Sequence, residues 1–183
     1  MLQKNNEYKV LRIFLNSPMT EFGLREISRE IGLALPSVKR YLLDLEKDGV
    51  IDIRDRKGVP VYVARMDSER FRFYESLFMQ YELFESGLID YIWKKLCPEA
   101  IIFYGSHAKG EAIENSDIDL FVVGKRSKVS QGLGFSDINL DKYEKILRKG
   151  VHLMNDEVGN IPKELKNNLA NGIVMRGYLK ILK

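Results

Sequence analysis

Two carboxylates one residue apart, Asp117 and Asp119, open an apolar run that continues Leu120-Phe121-Val122-Val123. Side chains alternate along a strand, so both acids are expected on one face, with Ile118 and Leu120 on the other. Paired carboxylates repel and are costly to desolvate unless cations neutralise them, and oxygen ligands of this kind suit Mg²⁺ or Mn²⁺. Ten residues separate Asp117 from Gly105-Ser106, which directly follows the strand-like Ile101-Ile102-Phe103-Tyr104. Glycine between a strand and a helix lets backbone approach a phosphate, and N–H groups at a helix start face an anion. A nucleoside triphosphate satisfies both halves: cations on Asp117 and Asp119, phosphates at Gly105 and Ser106, with Lys109 as a further contact. Each residue also has a plainer role, the acids as a capped strand start, Ser106 as a helix N-cap and Lys109 as a solvated cation.

The elements that must hold these residues are legible from periodicity. Strands are expected at 101–104 and 118–123, a helical turn or two between them, and weaker elements after them. Those are a helix around Asn139–Arg148, a strand Val151–Met154, a helix Pro162–Asn168 and a last apolar run, Ile173–Met175. Ahead of them, Leu88–Leu96 reads as a helix between Ser86-Gly87 and Pro98. Asp67–Glu85, rich in Phe, Tyr, Leu and Met without Gly or Pro, reads as a connecting helix.

Gly105-Ser106, the ten-residue spacing and Ser116-Asp117-Ile118-Asp119-Leu120 resemble the signature of the DNA polymerase β nucleotidyltransferase superfamily, and its minimal nucleotidyltransferase branch in particular. The resemblance runs from about Ser86 to Tyr178 and includes Asn160-Ile161-Pro162-Lys163-Glu164-Leu165 and Gly172-Ile173-Val174-Met175. It implies transfer of a nucleotidyl group from a nucleoside triphosphate, ATP above all, with Mg²⁺ or Mn²⁺. It also implies a third carboxylate on the next strand. If Val151–Met154 is that strand, His152 stands in the acid's place, able to bind metal or accept a proton but adding no negative charge. Asp137 or Asp141 serves as the third acid in an alternative alignment. With His152 in the acid's place, activity persists in altered form, or the domain binds nucleotide without turnover. The branch further implies an antitoxin that modifies a helical, toxin-like partner protein.

The N-terminal part divides into three helices and a hairpin: Tyr8–Leu15, Gly23–Gly32, Ser37–Lys47, then Val50–Ile53 and Val59–Val63 around a basic turn, Arg54-Asp55-Arg56-Lys57-Gly58. Leu24-Arg25-Glu26-Ile27-Ser28, Pro36 to Leu42 and Glu46 to Ile51 resemble the winged helix-turn-helix of transcription regulators. That implies double-stranded DNA as a partner. Ser37, Lys39 and Arg40 at the start of the third helix would meet the major groove, and Arg54, Arg56 and Lys57 in the wing would meet phosphates. A homodimer through the 67–85 helix fits such regulators.

The expected fold class is therefore α+β: a winged helix-turn-helix at 1–66, a connecting helix at 67–85, and at 86–183 a nucleotidyltransferase domain with a small mixed β-sheet flanked by helices. Net charge, +3 over 183 residues, allows nucleic acid or nucleotide phosphates as partners without announcing them. Cys97 stands alone, which excludes an intramolecular disulfide and leaves a buried packing role as the expectation. Neither a secretory leader nor a bilayer-length apolar run is visible, so a cytoplasmic protein is expected.

Overall fold

A computed structural model describes residues 5–124, 138–156, 161 and 163–179. The chain is α+β and divides into two compact units, Met1–Glu75 and Ser76–Lys183.

The first unit begins with helix α1 (Asn6–Asn16), whose start is fixed by Asn5: its side-chain oxygen accepts from the Glu7 and Tyr8 N–H groups at 2.9 and 3.2 Å. Strand β1 (Phe22–Gly23) leads into α2 (Leu24–Ile31), which ends at Gly32 in the left-handed conformation. Helix α3 (Leu35–Lys47) takes Pro36 in its first turn, where no N–H is required. Strands β2 (Ile51–Arg56) and β3 (Val59–Ala64) pair antiparallel, and β1 adds on the far side in the order β1-β3-β2. The basic segment expected as a loop is therefore mostly strand: Arg54 and Arg56 belong to β2, and only Lys57-Gly58 turns. Both turn residues have positive φ, 55° and 81°, the pattern of a two-residue turn matched to strand twist. Val10, Phe14, Ile27, Val38, Leu42, Val50 and Ile51 close the core beneath.

Helix α4 (Glu69–Glu85) runs through the division between the units, and α5 (Leu88–Leu96) follows after Gly87. Cys97 ends α5 in the left-handed region and is exposed, not buried: it lies past the helix whose apolar face, Leu88, Ile89, Ile92 and Leu96, goes inward. The second unit is built on β4 (Ala100–Tyr104), β5 (Ile118–Val123), β6 (Val151–Asp156) and β7 (Ile173–Gly177), joined by α6 (Gly105–Lys109), α7 (Asp141–Leu147) and α8 (Lys163–Ala170). Sheet order is β6-β5-β4-β7, with β5 and β6 parallel and the other pairs antiparallel.

Alternation along these strands sorts the core into two layers. Ile101, Phe103, Ile118, Leu120 and Val122 pack with Met79 and Leu83 of α4, α5 and Leu147 of α7; Ile102, Tyr104, Phe121 and Val123 pack with Ile161 and Leu169 on the other side. Among the described residues no helix is long and apolar enough to cross a membrane.

Candidate active site

Strand register brings Tyr104, Asp119 and His152 into one transverse row across β4, β5 and β6. By alternation they share the face of Ile102 and Phe121, not that of the buried Ile118 and Leu120. His152 Nδ1 lies 3.2 Å from Asp119 Oδ1, with the imidazole 58% exposed and the carboxylate 26%. Tyr104 is buried, and burial first, then the Asp119 charge, pushes its phenol above the ordinary range. Its hydroxyl donates to Met154 Sδ at 3.4 Å.

Asp117 stays outside the strand, whose bounds, 118–123, are those expected. It lies just ahead of β5, in the loop from α6, and is exposed. Backbone bonds close this loop: Glu111 N–H donates to Ser106 O at 2.9 Å, and Ser116 N–H to Ile113 O at 3.0 Å. His107, 2% exposed, holds the loop to α6 from within, its Nε2 3.1 Å from the Ser116 carbonyl. A carbonyl only accepts, so that nitrogen carries the proton and donates.

Each acid backs onto a glycine. A Cβ on Gly105 would overlap the Asp119 carboxylate, and Gly105 has φ +79°, a conformation side chains resist. A Cβ on Gly150 would overlap Asp117 Oδ1 in the same way. Glycine backbone therefore forms a wall behind each acid, Gly105 behind Asp119 and Gly150 behind Asp117. Ser106 does not cap α6: the N-cap is Tyr104, and Ser106 is the second residue of the helix because the chain turns two residues earlier than the cap reading requires. Lys109 is exposed at the end of α6.

Among the described residues no group of three or more His, Cys, Asp or Glu side chains gathers as a metal site. Asp117 and Asp119 fit a cation that fills the rest of its shell with water and phosphate oxygens, the habit of Mg²⁺. Asp137 lies outside the described residues, and Asp141 opens α7. Sequence reasoning missed Gly150, Tyr104 and His107; the signal for the first was a lone glycine directly before a strand.

In the first unit, Lys39 and Arg40 are exposed near the start of α3, Ser37 is half-buried there, and Arg40 lies over the Tyr41 ring at 5.0 Å. Arg54, Arg56 and Lys57 are exposed on the hairpin. Arg56 is engaged, however: its Nε donates to Glu21 at 2.7 Å, and that bond holds the Glu21 carboxyl below its usual range.

Comparison with known families agrees with both units. Residues 89–175 match the nucleotidyltransferase domain, and residues 24–52 match the winged helix-turn-helix DNA-binding domain. No curated protein and no solved structure matches the chain significantly.

Proposed function

We propose, from a chain that joins a winged helix-turn-helix to a nucleotidyltransferase domain, that the second unit transfers a nucleotidyl group from a nucleoside triphosphate under the direction of a DNA-binding first unit. Asp117 and Asp119 hold Mg²⁺ or Mn²⁺, and Gly105, Ser106 and Lys109 receive the phosphates of ATP. When bound, the cation draws charge from the phosphate oxygens and steadies the departing pyrophosphate. The observation that carries this reading is the packing of Asp119 onto Gly105, which leaves backbone, not side chain, beside the carboxylate. A cytoplasmic setting, where triphosphates and DNA meet, belongs to the same proposal.

One observation favours a second reading, a regulator that senses nucleotide without turning it over. The strand position across from Asp119 holds His152, and an imidazole offsets none of the charge of bound cations.

The test is calorimetry of ATP binding with and without Mg²⁺, alongside pyrophosphate release. Asp117→Ala and Asp119→Ala are expected to remove the Mg²⁺-dependent part of binding while circular dichroism stays unchanged. Equal affinity and equal metal dependence in both variants would sink the assignment.

A further inference from the structure

Lys145 in the last turn of α7, with Arg148 and Lys149 in the turn that follows, lies beside Gly150, the residue against which Asp117 packs. These residues, with Asp141 and Glu144, line an open recess of about 450 Å³. The turn is fixed to the loop that bears Asp117. Ile118 N–H donates to Gly150 O at 2.9 Å, and Lys149 Nζ to Glu114 O at 3.3 Å. Glu144 is occupied in holding the turn, since its Oε1 accepts from Val151 N–H at 2.9 Å. Lys145 and Arg148 are exposed and make no side-chain hydrogen bond or ion pair among the described residues. Arg148 also ends α7 at φ +56°, the left-handed position that glycine commonly takes. A bulky cation is thus kept where the backbone favours a glycine.

Placement on opposite walls gives this corner a task. Gly105 stands behind Asp119, and Gly150, which also lines the recess of Lys145 and Arg148, stands behind Asp117. If the donor phosphates occupy the first wall, the second is left for the other reactant.

We propose that Lys145 and Arg148 bind a phosphate group of the acceptor, so that the substrate receiving the nucleotidyl group is itself a phosphate-bearing molecule. This rests on the donor assignment above. The acceptor's hydroxyl oxygen forms the new bond to the α-phosphorus, the bond to the β-phosphate oxygen breaks, and pyrophosphate leaves with its electron pair. The acceptor's proton passes to solvent or to the exposed His152 imidazole. Lys149 serves to hold the turn and is not counted among the binding groups.

The experiment uses the full chain and the Lys145→Gln, Arg148→Gln double variant. Affinity for the Mg²⁺ complex of a non-hydrolysable ATP analogue is measured by calorimetry. Binding of inorganic phosphate to the analogue-saturated protein is then followed by ³¹P line broadening. Unchanged analogue affinity with phosphate affinity lowered roughly tenfold or more is expected, because two charge-assisted contacts are lost; Lys145→Arg with Arg148→Lys should retain binding. Lowered analogue affinity with phosphate binding intact would assign the turn to the donor and overturn the proposal, as would a wild type that binds no phosphate. A wild type that ignores the analogue yet binds phosphate through Lys145 and Arg148 would uphold the anion site and overturn the donor reading alone.

Discussion

Across from Asp119 stands the His152 imidazole, beside the acid proposed to hold a cation. His152 Nδ1 points at Asp119 Oδ1 from 3.2 Å, so an acid here would lie beside the same cation. Replacing His152 with Asp adds a negative charge to the cation site and a base for the acceptor hydroxyl. Single-turnover pyrophosphate release by His152→Asp is expected to exceed the wild-type rate, by up to the ~10²–10⁴-fold of a positioned general base, and Mg²⁺ affinity should rise. A brisk wild-type rate abolished by the same change would make histidine the catalytic group. The acids, Gly105 and Ser106 were singled out by the sequence because their spacing is local. Tyr104, His107 and Gly150 were not, since their roles arise only when β4, β5 and β6 pair and the α6–β5 loop meets the turn before β6.

At the scale of elements, the hairpin shows how a correct pattern can carry wrong limits. Val50–Ile53 and Val59–Val63 were visible as β-prone runs, but pairing reaches Arg56 opposite Val59, which turns a five-residue loop into strand plus a tight Lys57-Gly58 turn. Strand β1, two residues long, has no periodicity to read. It brings the chain beside β3, and Glu21 just ahead of it reaches Arg56. Glu21 is ionised at neutral pH. Its carboxyl sits below the usual range through the Arg56 hydrogen bond, so the pair persists above the ordinary carboxylate pKa and is lost as pH falls through the lowered value. Arg56 is therefore already neutralised locally when DNA arrives. In binding of duplex DNA measured against salt, Arg54→Gln with Lys57→Gln should lower the slope by about two units, one per phosphate contact. Arg56→Gln should add little, and Glu21→Gln should raise affinity at low salt. Equal losses at all three cations would show that Glu21 releases Arg56 on binding; no DNA binding at low salt would leave the first unit as a protein-interaction module.

For the molecule as a whole, α4 is the element whose composition exceeds its visible work. Phe71, Phe78, Met79 and Leu83 are buried, yet Phe73, Leu77 and Phe84 remain 63, 48 and 58% exposed. The spacing of those three, four and then seven residues, sets them on one side of the helix. A helix apolar on both sides calls for a second cover, and exposed aromatic stripes mark interaction surfaces. A second copy of the chain is the occupant proposed here, because a regulator of this class pairs symmetrically on DNA and a twofold contact would set one α4 stripe against another. Two α4 helices related by a twofold axis across them run antiparallel, which lets Phe73 of one copy meet Phe84 of the other. Such a pair would present two winged helices to DNA. Sedimentation equilibrium at tens of micromolar should give a dimer for the wild type and a monomer for Phe73→Glu with Phe84→Glu. A wild type that stays monomeric, or a dimer indifferent to both phenylalanines, would place the contact elsewhere and leave the stripe for another partner.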